Sequence, residues 1–270
     1  MEEEIMAKKK KNEKGLVLSG GGIRGMAHIG LIKALRERGW EADRVAGTSI
    51  GALVGAFYAN SNTVEDMLSF FKETPLFQYN FFTINKAGFI DTERYYKLLK
   101  AYFPKDTFAS LDLPLHVVAT DLLQGEEICF SEGELIRALL ASAALTPVFS
   151  PVKVGKLLCA DGGIMNNFPK EYLDEHCSSI VGSNVTIAGE MHKKDLKNPF
   201  QITARVTSLM IYTSSKKKLG QCQWAVEPKE LESIGVLDKS SIEKAFTIGY
   251  DHASRELDRL GSESPLLLSV

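Results

Sequence analysis

Apolar residues first gather in a short block, Gly15-Leu16-Val17-Leu18, that reads as a buried strand. They then recur at Ile29, Ile32 and Leu35, the spacing of a helix over Met26 to Arg38 that Gly39 closes. Arg44-Val45-Ala46 is a second β-prone block, and it leads into Ala52 to Ala59, small and apolar as a helix packed tightly on a sheet would be. This β-α-β-α opening places the chain in the α/β class, with parallel strands and chemistry-bearing loops at their C-terminal ends. A helix over Thr63 to Phe71 is expected next, capped by Asn62 or Thr63. Leu115 to Thr120 reads as a strand with Glu127 to Phe130 pairing near it, and Leu135 to Ala144 as a small-residue helix ending at Thr146-Pro147. Val152 to Ala160 has the pattern of a hairpin turning at Gly155, and Ser179 to Val185 that of one more strand. From Pro199 the periodicity is helical over Ile202 to Tyr212 and Ser241 to Leu260, with Lys216-Lys217-Lys218 expected between them as a solvated face.

Composition narrows the function classes. The chain has 270 residues, enough for a sizeable core, and 44% hydrophobic content. Its net charge of −2 gives no global attraction to nucleic acid or to an anionic membrane, so no nucleic-acid partner is expected. Cys129, Cys159, Cys177 and Cys222 share no C-x-x-C spacing, which points to reduced core thiols in a cytoplasmic protein rather than metal ligands or disulfides. Residues 1–14, with the charge run Lys8 to Lys11, are expected to form a disordered tail, residues 15–262 one domain with a mainly helical part at 196–262, and 263–270 a second tail. No apolar run approaches the roughly 20 residues needed to span a bilayer, so any membrane contact is expected to be peripheral.

Three stretches carry candidate chemistry. Gly47-Thr48-Ser49-Ile50-Gly51 has the G-x-S-x-G form of a nucleophile elbow between strand and helix, where Gly47 and Gly51 relieve the crowding of a sharp turn. Gly20-Gly21-Gly22-Ile23-Arg24-Gly25 lies between the first strand and helix and admits two uses. It matches the dinucleotide fingerprint, yet the acid that fingerprint requires at the end of the second strand is replaced by the serine elbow. It equally suits an oxyanion hole, with N–H groups converging on a developing negative charge and Arg24 adding a positive one. Asp161-Gly162-Gly163 ends an apolar strand, so a carboxylate is exposed at the same sheet edge as Ser49 if the two strands are parallel neighbours. Of the five histidines, His28 and His252 fall in helical patterns, His116 in a strand, and none of the five stands out as a base for Ser49. Residues 76–103 are rich in rings (Phe77, Tyr79, Phe81, Phe82, Phe89, Tyr95, Tyr96, Tyr102, Phe103), which reads as a satellite core or as an acyl-binding wall.

In content, order and approximate spacing the three stretches resemble the patatin-like phospholipase family. Asn166-Asn167-Phe168-Pro169 looks like the segment that follows the family's aspartate, and Ala141 to Val152 like its serine- and proline-containing loop, with Pro147 one position late. The resemblance implies a three-layer α/β/α sandwich with a mixed, largely parallel sheet. It also implies a catalytic dyad of Ser49 and Asp161, an oxyanion hole from Gly20 to Gly25, and no metal or cofactor. The activity so implied is hydrolysis of lipid acyl esters through an acyl-enzyme, of phospholipase A, lysophospholipase or esterase type. An NAD(P)-binding oxidoreductase and a non-catalytic lipid- or partner-binding regulator on the same fold are the competing readings.

Overall fold

A computed structural model describes residues 13–74 and 87–263. Among the described residues the strands form one eight-stranded sheet. Its parallel half is built from β1 (Glu13–Leu18), β2 (Arg44–Thr48), β3 (Leu115–Asp121), β7 (Cys177–Ser183) and β8 (Trp224–Val226). β4 (Glu126–Phe130) and β6 (Leu157–Asp161) run antiparallel to β3, and β5 (Val152–Val154) forms a hairpin with β6. The sheet is therefore mixed, as the resemblance implies.

Helices cover both faces, because side chains alternate along each strand. Leu16, Leu18 and Val45 face the main core, where they meet α1 (Met26–Arg36), α2 (Ile50–Ala59), α3 (Val64–Glu73), α5 (Leu135–Ser142) and α8 (Ile242–Glu263). Val17 and Ala46 point the other way into a smaller core with Phe168, Leu173 of α6 (Glu171–Asp174) and Leu219 of α7 (Pro199–Leu219). α3 starts at Thr63, whose hydroxyl accepts from the Asp66 N–H while Asp66 accepts from the Thr63 N–H, a complete capping box. α8 packs along α1, with Ile242, Ala245, Ala253 and Leu257 buried in the main core.

Several expectations shift. β1 starts at Glu13, so the last two residues of the expected N-terminal tail belong to the sheet, and residues 1–12 lie outside the described residues. α8 runs to Glu263, and 264–270 lie outside them as well. Lys216, Lys217 and Lys218 do not separate two helices but form the last turn of α7. β8, only three residues long, adds an unforeseen parallel strand beside β7. In the ring-rich stretch, Tyr102 of α4 (Tyr96–Tyr102) and Phe103 pack edge-on or tilted around Phe57 with Phe70, and Tyr95 lies edge-on to Phe149. Those rings are core, whereas Phe89 is exposed, and Phe77, Tyr79, Phe81 and Phe82 lie outside the described residues. Among the described residues no helix is long and apolar enough to cross a membrane.

Candidate active site

The site is assembled on one edge of β3. Gly47 and Thr48 of β2 pair with Val117 and Val118, and β2 stops there. On the same edge β6 arrives from the opposite direction, with Asp161 beside Ala119; β4 occupies the other edge across both registers. Ser49 and Asp161 therefore meet because two strands end head to head along a third, not because their strands are parallel neighbours, which corrects the expected geometry.

Ser49 has φ 56° and ψ −122°, the strained conformation of a side chain at the tip of a sharp turn. A Cβ at Gly51 would come within 2.2 Å of the Leu18 carbonyl oxygen, so only glycine lets the start of α2 reach the end of β1. The Ser49 N–H donates to Ser142 Oγ (2.8 Å), and that hydroxyl donates to the Val118 carbonyl (2.5 Å). Ser142 thus bolts the elbow to β3. Thr48 Oγ1 donates to the Asn166 carbonyl on the other side (2.8 Å).

Ser49 is half-buried, and its Oγ donates to Asp161 Oδ2 at 2.6 Å. The other carboxylate oxygen accepts from the Gly163 N–H (2.8 Å), which fixes its rotation. Asp161 is only 5% exposed. Burial pushes its carboxyl up to about 6, against the opposing pull of the Ser49 and Gly163 hydrogen bonds. Above that pH it is a carboxylate more basic than an ordinary aspartate, aimed at a hydroxyl proton.

The glycine loop closes the other side. An added Cβ on Gly20 would lie 3.3 Å from Ser49 Cβ, so the loop passes directly over the serine. Its six residues are not equivalent. The Gly20 N–H donates to the Asn167 carbonyl (3.2 Å) and the Ile23 N–H to the Val236 carbonyl (2.8 Å), so neither is open to a ligand. Gly21 and Gly22, with φ of 156° and 59°, have N–H groups without a partner among the described residues. The Ile50 N–H opens α2 and has no place in its intrahelical ladder. Gly22 is irreplaceable on two counts, a left-handed φ and a Val236 carbonyl oxygen 2.1 Å from any Cβ. Arg24 spends its guanidinium on backbone carbonyls. Its Nε donates to the Ile234 carbonyl (2.7 Å) and its Nη2 to that of Glu232 (3.4 Å), clamping segment 232–236 beneath the loop. Gly25 lies against the Ile50 side chain. Gly162 passes the Val118 carbonyl, with 2.2 Å to an added Cβ.

Neither Ser49 nor Asp161 bonds to a histidine. His28 is fully buried between Ser183 Oγ (2.8 Å from Nδ1) and the Ser19 carbonyl (2.9 Å from Nε2). The grooves lined by Glu93, Phe130, Arg137 and Lys153 and by Phe108, Leu113 and Glu132 lie away from Ser49. All four cysteines are free. Among the described residues no three His, Cys, Asp or Glu side chains are grouped to hold a metal. Sequence reasoning missed Ser142 as an individual residue and Lys218, whose ammonium donates to Asn166 Oδ1 and Glu171 Oε1 (both 2.8 Å) behind the elbow.

Comparison with known proteins identifies the family. The family described as patatin-like phospholipase matches residues 16–174, which takes in the glycine loop, the serine elbow and Asp161. An NTE family protein of Mycobacterium tuberculosis is 36% identical over 157 residues, covering 57% of this chain and 43% of that one. A lysophospholipase of Aspergillus fumigatus is 24% identical over 288 residues, covering 94% of this chain and 19% of that protein. The chain thus spans less than half the length of these two relatives. The crystal structure of VipD from Legionella pneumophila superposes with a TM-score of 0.54 at 18% identity, covering 92% of this chain and 67% of that one, a likeness of fold.

Proposed function

The chain belongs to the patatin-like phospholipase family, and from that premise we propose that it is a serine hydrolase of lipid acyl esters working through Ser49 and Asp161. The observation that carries the reading is the 2.6 Å hydrogen bond from the hydroxyl of a half-buried serine to a buried carboxylate, beside a loop with N–H groups unpaired among the described residues. As Ser49 Oγ bonds to the ester carbonyl carbon, its proton passes to Asp161 Oδ2. The negative charge that develops on the carbonyl oxygen is met by the N–H groups of Gly21, Gly22 and Ile50. Collapse breaks the ester bond, and the leaving alcohol takes the proton from Asp161. Water then attacks the acyl-enzyme, giving its proton to Asp161, which returns one to Ser49 as the free acid departs. Ser142 and Thr48 hold the elbow still while Oγ moves between partners.

A lipid ester is the favoured substrate class because the exposed side chains following the acid, Ile164 and Met165, are apolar. The lysophospholipase and NTE relatives support the same class. The dinucleotide reading has no comparable support: Asp43 precedes β2 and accepts from the Lys14 N–H (2.7 Å) instead of standing at the strand's C-terminal end. The test is turnover of p-nitrophenyl butyrate and of lysophosphatidylcholine by wild type and Ser49→Ala. Ser49-dependent release of acid from both is expected; folded protein with no Ser49-dependent turnover of either would overturn the reading.

A further inference from the structure

Helix α7 is inverted. Its interior-facing side carries Arg205, Ser208, Tyr212 and the buried Ser215, while Ile202, Val206, Leu209 and Met210 are 49%, 49%, 40% and 69% exposed. At 100° per residue those four side chains fall within about a 100° arc, one stripe along the outer face. No described residue buries that stripe. A globular helix normally turns such a stripe inward, so its outward placement calls for an apolar occupant.

Charge says which one. α7 contains no aspartate or glutamate. The stripe is bracketed by exposed lysines, Lys193, Lys194 and Lys197 before the helix and Lys216 and Lys217 in its last turn. Apolar residues flanked by cations are the pattern of a helix lying in the interface of an anionic lipid surface, with lysine stems reaching up to the headgroups. A second copy of this chain fits less well, since two-fold pairing would set lysines against lysines. The stripe also stands at the right place. α7 follows β7, and the loops after β1, β2 and β7 share one edge of the sheet, that of Ser49. Both ends of α7 are tied to the site. Arg205 donates to the Gly189 carbonyl (2.5 Å) and faces Glu232 (4.0 Å), whose carbonyl holds Arg24, while Lys218 grips Asn166, the anchor of Thr48.

We infer that the outer face of α7 docks the protein on an anionic lipid surface and so presents ester lipids to Ser49. The inference deepens the lipid-ester reading, but docking is measurable without turnover. Co-sedimentation of the full chain, carrying Ser49→Ala to leave the lipid intact, would use phosphatidylcholine vesicles with and without a third of phosphatidylserine. Binding is expected to the anionic vesicles and to weaken at least about tenfold with Val206→Glu/Met210→Glu and about twentyfold with Lys216→Ala/Lys217→Ala. In an otherwise wild-type chain, Val206→Glu/Met210→Glu should leave hydrolysis of soluble p-nitrophenyl butyrate unchanged, which excludes misfolding as the cause. No binding to anionic vesicles, or binding indifferent to both pairs of substitutions, would overturn the docking inference. So would loss of a dimer, rather than of vesicle binding, in Val206→Glu/Met210→Glu. Vesicle binding without Ser49-dependent ester hydrolysis by wild type would instead sink the hydrolase reading and leave docking standing.

Discussion

Ser49 and Ser183 stand at the C-terminal ends of parallel strands, β2 and β7, and each places its hydroxyl on a buried titratable group. Ser183 meets an imidazole, the partner usually sought for a serine nucleophile; Ser49 meets a carboxylate. The His28 ring is fixed by its far side, because the Ser19 carbonyl can only accept, so Nε2 carries the proton and Nδ1 accepts from Ser183. Burial pushes His28 down to about 4, so it stays neutral and resists taking a proton. The same physics raises Asp161 to about 6 and makes it a better base. Ser183 is 2% exposed, whereas Ser49 is only half-buried. On the proposed reading the Ser–His pair braces the glycine loop and the Ser–Asp pair carries the chemistry. Desolvation of an acid and of a base work in opposite directions, and access decides between otherwise similar pairs.

The largest effect should come from Ser49→Ala, which is expected to lower kcat/KM by at least about 10⁴-fold while leaving thermal unfolding nearly unchanged. Asp161→Asn comes next, with an expected loss of about 10³-fold or more. It should also stabilise the protein. Because the folded-state pKa of Asp161 is raised, the native chain holds this proton more tightly than the unfolded one, and stability falls as pH rises from about 4 to about 6. Asparagine removes that cost, so the gain in Tm over wild type should grow across this window and level off above it. Two pKa units correspond to an upper bound of about 3 kcal/mol. In wild type, kcat/KM should fall tenfold per pH unit below about 6, where Asp161 is protonated.

Ser142→Ala tests the bolt instead of the pair. It leaves the Ser49 N–H and the Val118 carbonyl without their shared partner, at an expected cost of about 1–3 kcal/mol by denaturant unfolding and about tenfold in kcat. The smallest catalytic effect belongs to Ser183→Ala. It deprives His28 Nδ1 of its donor and should lower stability by about 1–2 kcal/mol, with turnover of a soluble ester held within about threefold. A collapse of turnover in a stable Ser183→Ala protein would erase the contrast between the two serines.

How much of this was legible in the sequence follows from how local each feature is. The elbow and glycine loop are strand-turn-helix units whose glycines sit a few residues from what they accommodate, so Ser49 and Gly20 to Gly25 were visible as motifs. Asp161 was visible as a strand-end acid, but not how it reaches Ser49, because β2 and β6 meet only through the register each makes with β3. The division of the loop into engaged and open N–H groups depends on Asn167 and Val236, far along the chain. Arg24 was visible within the glycine motif, but its partner was not, because the Glu232 carbonyl it holds lies 208 residues further along the chain. Lys216 and Lys217 are solvated as expected, but they extend α7 instead of following it, because Thr213, Ser214 and Ser215 continue the helix without an apolar periodicity to mark it. A helix that hides Arg205 and Ser215 and shows Ile202 and Met210 looks, by periodicity alone, like one that does the reverse.

The pairing of Ser49 with Asp161 is tested most directly by fluorophosphonate labelling across pH 5 to 8, with the adduct located by peptide mass mapping. A single adduct on the Ser49 peptide is expected, forming faster as pH rises through about 6 and nearly abolished in Asp161→Asn. An adduct on Ser183 or another serine, or labelling of Ser49 at the same rate in Asp161→Asn, would contradict the account.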